Sequence, residues 1–135
     1  MYPEPQALIP HRPPVLCIDT VARITDTTAA TLRTVPRAGT VRDKLWEPWI
    51  VEGLAQTAAV LHGHQESPTG SARAGMLVGV RQFKVHALPA PGDTLRFEVE
   101  VIKRIAPLTL VQGAALVGDT LIAEGQLKFF VEGQQ

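Results

Sequence analysis

The sequence predicts an α+β fold: a curved antiparallel β-sheet of five or six strands wrapped around one central helix, in a single domain over residues 1–135. Three observations carry this expectation. The stretch WIVEGLAQTAAVLH, residues 49–62, has helical spacing yet is apolar or small nearly all round, so the helix has to be enclosed. The segment LRFEVEVIKRI, residues 95–105, sets Leu95, Phe97, Val99 and Val101 against Arg96, Glu98 and Glu100, the mark of a sheet with one dry face. No other segment has helical spacing, and one apolar helix is best covered by a sheet curled around it.

The elements follow in order along the chain. Residues 15–35, VLCIDTVARITDTTAATLRTV, are rich in Val, Ile and Thr and are broken by a turn-like stretch at 25–28, which predicts two paired strands. Residues 39–48 are a loop. Pro48 suits a first helical turn, where a missing N–H costs nothing, and the helix is expected over about 48–62 with Gly63 ending it. SPTGSA, residues 67–72, connects to four strand segments: MLVGVRQFKVHAL (76–88), DTLRFEVEVIKRI (93–105), LTLVQGAALVG (108–118) and TLIAEGQLKFFVE (120–132). PAPGD and the pair Gly118 and Asp119 supply the turns. The arrangement is that of a hotdog fold.

Composition narrows the function classes. Thirteen basic residues balance thirteen acidic ones, so no global field marks a nucleic-acid or membrane-surface binder. The single cysteine, Cys17, forbids an internal disulfide, points to a reducing cytoplasm and offers no thiol cluster for zinc; it reads as a small buried hydrophobe on an apolar strand. The N-terminus MYPEPQALIPHRPP lacks the charge-then-apolar pattern of a signal peptide, and no apolar run is long enough to span a membrane.

Three stretches carry a resemblance. LIPHRPPVLCIDTVARI resembles the opening of the FabZ-type 3-hydroxyacyl-acyl-carrier-protein dehydratases, IVEGLAQTAAVL their central-helix motif, and FKVHALPAPGDTLRFEVEVIKR their third and fourth strands joined by a P-G-D turn. The two prolines of the opening, with WIVEGLAQ, most resemble the ApeP-like branch, found with aryl-polyene and related lipid synthesis. The resemblance implies a protein that removes water from a 3-hydroxyacyl thioester, with the acyl group on the phosphopantetheine of an acyl carrier protein or on coenzyme A and with no further cofactor or metal. It also implies pairing with a second hotdog chain, as a homodimer or a heterodimer.

Such a dehydration needs a base for the α-proton, an acid for the departing hydroxyl, and N–H donors at the thioester oxygen. By match to the family motif, Glu52 takes the role of the catalytic acid and Gln56 that of the amide near the acyl pocket, while backbone donors at the helix N-terminus near Trp49 and Ile50 face the thioester. A carboxylate on so apolar a helix is placed where burial disfavours its charge. The family histidine, however, falls by its spacing on Ala38, and no histidine occurs between His11 and Glu52. His11, in PHRPP, is then the candidate replacement, against a packing role in a rigid turn. His62 and His64 read as residues of the helix C-terminus facing solvent, and His86 has no assigned role.

Each candidate has a structural alternative. Glu52 can be an anchor tied to backbone N–H groups or to Gln56, and Trp46 and Trp49 can plug the helix entrance as well as wall an acyl tunnel. Arg37, in the basic loop that includes Arg42 and Lys44, and Arg81 are candidates for the side facing the anionic carrier. Three function classes stay open: a carrier-dependent dehydratase, a non-catalytic subunit pairing with a catalytic hotdog chain, and a thioesterase in which Glu52 activates water.

Overall fold

The computed structural model describes residues 2–9, 16–35, 46–65 and 75–131. Its elements are α1 (Pro5–Leu8), β1 (Thr20–Ile24), β2 (Thr28–Thr34), α2 (Trp46–Gln65), β3 (Gly75–Val85), β4 (Thr94–Ile105), β5 (Leu108–Val117) and β6 (Thr120–Val131). The six strands form one antiparallel sheet in the order β1-β2-β4-β5-β6-β3. α2 packs on one face of it. There Phe97, Val99, Val111, Ala115, Leu127 and Phe129 meet Ile50, Leu54, Ala58 and Leu61 in a single core.

Local chemistry sets the turns. Between β1 and β2, the Thr25 hydroxyl lies 2.6 Å from that of Thr28 and accepts the Thr28 N–H at 3.0 Å, so a side chain closes what glycine often would. In PAPGD, the Asp93 carboxylate accepts the Ala90 N–H at 2.8 Å, while Gly92 donates to Val35 O at 2.9 Å and fixes the turn to the end of β2. Gly118 opens the β5–β6 turn at φ 59°, a conformation that costs glycine nothing.

The helix departs from its sequence expectation at both ends. It begins two residues before Pro48, which still lies in the first turn, and it passes through Gly63 to Gln65. Gly63 is buried, and any Cβ there would collide with the carbonyl of Leu8. Its role is close approach: the short α1, which helical spacing did not announce, lays its C-terminal end against this glycine. At the other contact, Gly53 faces the Phe97 ring of β4. Between them, the Thr57 hydroxyl donates to Gly53 O at 2.8 Å, so the Thr31 hydroxyl, 2.8 Å away, must donate to Thr57. That pair ties α2 to β2.

Candidate active site

One face of α2 is not fully covered by the sheet. Pro48 is exposed and Val51, Glu52 and Ala55 are half-buried, a stripe at helical spacing, whereas Ile50, Leu54, Ala58 and Leu61 on the opposite side are buried. The apolar sequence predicts enclosure all round, but a single sheet covers a cylinder from one side only. Glu52 is the one ionisable residue on the stripe, and it is half-buried where full burial was expected.

The Glu52 carboxylate is oriented by a relay. Gln56, fully buried one turn later, donates from Nε2 to Glu52 Oε1 at 2.9 Å, and its own Oε1 accepts the backbone N–H of Cys17 at 2.6 Å. The Cys17 N–H can only donate, so it fixes which end of the amide faces it and leaves the NH2 to face Glu52. Glu52 Oε1 is therefore held as an acceptor. Cys17 is buried, as expected, but it precedes β1 instead of lying on a strand. Strand pairing begins only with Asp19, whose N–H donates to Leu32 O at 2.8 Å, so the Cys17 amide is available to Gln56.

Beside the relay, Trp49 is buried beneath Arg33, whose guanidinium lies 5.5 Å from the indole centroid. Arg33 is held there by Asp19 at 2.9 Å, and the other Asp19 oxygen accepts the Thr34 N–H at 2.8 Å. Ile50 is a fully buried core residue. As the fifth residue of α2 its N–H belongs to the helical ladder.

A family model described as ApeP dehydratase, of the ApeP-like family, matches residues 3–134. The chain belongs to the ApeP-like dehydratase family. Relatives include proteins named 3-hydroxyacyl-[acyl-carrier-protein] dehydratase FabZ. That of Herpetosiphon aurantiacus is 34% identical over 140 residues, covering 93% of each chain. That of Solibacter usitatus is 33% identical over 131 residues, covering 92% of this chain and 80% of the relative. Among solved structures, the dehydratase heterocomplex ApeI:P from Xenorhabdus doucetiae superposes with a TM-score of 0.86 at 20% identity, covering 99% of this chain and 94% of that one. A hypothetical thioesterase with coenzyme A from Streptococcus pneumoniae gives 0.64 at 10% identity, covering 85% and 86%. At these identities the structures share the hotdog fold.

In this ApeP-like chain the other candidate residues are distributed unevenly. His11, Arg37, Arg42 and Lys44 lie outside the described residues, as does the side chain of Trp46. Arg81 is exposed on β3 and faces away from α2: it stands opposite Gln126, which stands in line with Gln112, while the adjacent Leu127 and Val111 fill the core. Within one chain the sheet thus separates Arg81 from Glu52. His64 is exposed, but His62 is buried, contrary to its reading as a solvent residue, because α2 continues past it and α1 packs on this end of the helix. His86 pairs with Glu124 at 2.8 Å on the outer face, beside a groove of about 400 Å³ lined by Gln82, Lys84 and Gln112. Sequence reasoning missed the Cys17 amide.

Proposed function

We propose that this protein removes water from 3-hydroxyacyl groups carried as thioesters on an acyl carrier protein, giving a trans-2-enoyl product, and that it works paired with a second hotdog chain. One observation carries the proposal: among the described residues, the only ionisable side chain on the incompletely covered stripe of α2 is a carboxyl held in one orientation by Gln56 and the Cys17 amide. Val51 and Ala55 beside it offer an apolar bed for an acyl chain. Glu52 protonates the departing β-hydroxyl, while a second group takes the α-proton. His11 or a residue of the paired chain supplies that second group. The elimination transfers only protons between substrate and protein, so it calls for no resident cofactor.

Pairing has its own support. β3 is an edge strand of eleven residues whose Met76, Val78 and Val80 are all exposed, an open edge that invites another strand. The stripe around Glu52 needs a cover that one sheet does not provide. The similar Xenorhabdus structure is named as a heterocomplex. The absence of any histidine between His11 and Glu52 favours a heteromeric arrangement as the second reading, in which this chain completes a site whose base lies on its partner. The thioesterase reading has only fold-level likeness behind it.

The deciding experiment is to assay formation of the 2-enoyl product from a 3-hydroxyacyl carrier protein, with the purified chain alone and with a second hotdog chain from the same genome. Turnover by the chain alone, abolished by His11→Ala, assigns the base to His11. Turnover only in the pair assigns it to the partner, and no turnover in either overturns the proposal.

A further inference from the structure

The partly covered side of α2 changes along its length. Pro48 is exposed, Val51, Glu52 and Ala55 are half-buried, and Ala59 and Gly63, which continue the same side, are buried. The groove thus opens at the N-terminal end of the helix and deepens toward the C-terminal end. Gly63 stands eleven residues after Glu52, which at about 3.6 residues per turn brings it back to nearly the same line three turns on. There the Leu8 carbonyl sits directly on Gly63, so the end of α1 crosses the line of Glu52. Leu8 and Ile9 are buried in one cluster with Ala58, Ala59 and Leu61. Nearer to Glu52, the Cys17 amide is tied to Gln56 and stands along the flank opposite Val51.

Helix geometry gives the length of this groove. Gly63 lies about 16 Å beyond Glu52 along α2, at about 1.5 Å per residue. Half the width of a helix with its side chains, about 5–6 Å, leaves about 11 Å of bed over Ala55 and Ala59 before α1 is met. An extended hydrocarbon chain, with C–C bonds of about 1.5 Å, advances about 1.25 Å per carbon. About eight or nine carbons therefore fit between the line of Glu52 and α1.

We propose that α1 is the stop that sets acyl-chain length. The chain enters past Pro48, presents its C3 hydroxyl to Glu52 and runs over Ala55 and Ala59 until it meets Leu8 and Ile9, which limits substrates to about twelve carbons. The inference rests on the reading above that Glu52 works on a 3-hydroxyacyl thioester. The two alanines leave the bed open where larger side chains would fill it. Each methylene that reaches the bed leaves water and tightens binding about fourfold. One that extends past α1 stays in water or displaces Leu8, and gains nothing.

The test is a series of 3-hydroxyacyl carrier proteins with acyl groups of four to sixteen carbons, assayed with the full chain and the paired hotdog chain present. For the wild type, kcat/KM is expected to rise with length and then to fall about tenfold or more past about twelve carbons. Leu8→Ala shortens the stop, and should raise the ratio of kcat/KM for the fourteen-carbon substrate to that for the eight-carbon one about tenfold. Leu8→Val keeps more of the packing and should raise it about threefold, so it carries the test if Leu8→Ala does not fold. Ala55→Leu, at a half-buried position, fills the bed and should lower the ratio of the eight-carbon to the four-carbon substrate about tenfold. Val111→Ala truncates the core between sheet and helix, away from this groove, and should leave both ratios within about twofold. A wild type without a break, a break that neither Leu8 variant moves, or an equal shift in Val111→Ala overturns the proposal. If no substrate of any length is turned over, the dehydratase reading falls, and calorimetry with S-acyl pantetheines decides the stop. Affinity should then tighten about fourfold per methylene and level off past about twelve carbons, later in the Leu8 variants; tightening without a limit, or no binding, overturns it.

Discussion

Gly53→Ala introduces one methyl group where the packing leaves no room for it. Gly53 follows Glu52 on α2, and a Cβ at its position falls 2.6 Å from Cε2 and 2.8 Å from Cε1 of Phe97, against about 3.5–4.0 Å for carbon atoms in ordinary contact. Phe97 is fully buried in β4 and has no vacant direction in which to turn. The helix must therefore lift by about 1 Å, the shortfall from an ordinary contact. Overpacking of this kind costs about 1–3 kcal/mol, and the better helix propensity of alanine returns about 1 kcal/mol. The net effect is a loss of about 1 kcal/mol, rising to about 2 if the core resists. Urea unfolding at fixed protein concentration measures it. Phe97→Leu alone also destabilises, by leaving a cavity, but in the double variant the methyl fills the vacated space. The pair should then be more stable than the sum of the single effects by about 1 kcal/mol or more. A higher unfolding midpoint for Gly53→Ala, or strict additivity with Phe97→Leu, would refute the packing account.

Gly63→Ala should destabilise by about 2 kcal/mol, because the methyl pushes the Leu8 carbonyl away and exposes the apolar side chains of α1; limited proteolysis near the N-terminus should accelerate in parallel. A gain of about 1 kcal/mol from helix propensity alone would contradict it. Thr57→Val removes the partner of the buried Thr31 hydroxyl and should cost about 1–3 kcal/mol. Adding Thr31→Val should restore much of that in urea unfolding, since both polar groups are then gone. Val78→Lys with Val80→Lys charges the exposed edge of β3, and light scattering should report at least a dimer for the wild type and a monomer for the variant; an unchanged assembly would place the subunit contact elsewhere.

The strands were legible because their chemistry is local. Alternation along 95–105 and the PAPGD and Gly118–Asp119 turns located β4, β5 and β6 nearly to the residue. Gly63 misled because a glycine that ends a helix and one that admits a neighbouring chain look alike in sequence, and the difference lies in Leu8, far away along the chain. For the same reason α1 and the burial of His62 were not foreseen: four residues carry no period, and what covers a helix end is a tertiary matter. At the site, Glu52 and Gln56 were readable as a pair one turn apart. The Cys17 amide was not, because a backbone N–H 39 positions from its acceptor leaves no mark on residue type. Nor does periodicity show which face of the sheet Arg81 occupies, since its neighbours Val80 and Gln82 are both exposed and the strand is irregular just beyond it.

The central claim is that Glu52 is held for proton transfer, and Glu52→Gln tests it most directly. The variant keeps an oxygen able to accept from Gln56 Nε2, so the relay and the fold persist, while the transferable proton is lost. In the assay of 2-enoyl formation from a 3-hydroxyacyl carrier protein, with the paired hotdog chain present, turnover should fall about a hundredfold or more with little change in the urea midpoint. Full turnover in Glu52→Gln would show that the carboxyl is there for structure, and would contradict the account.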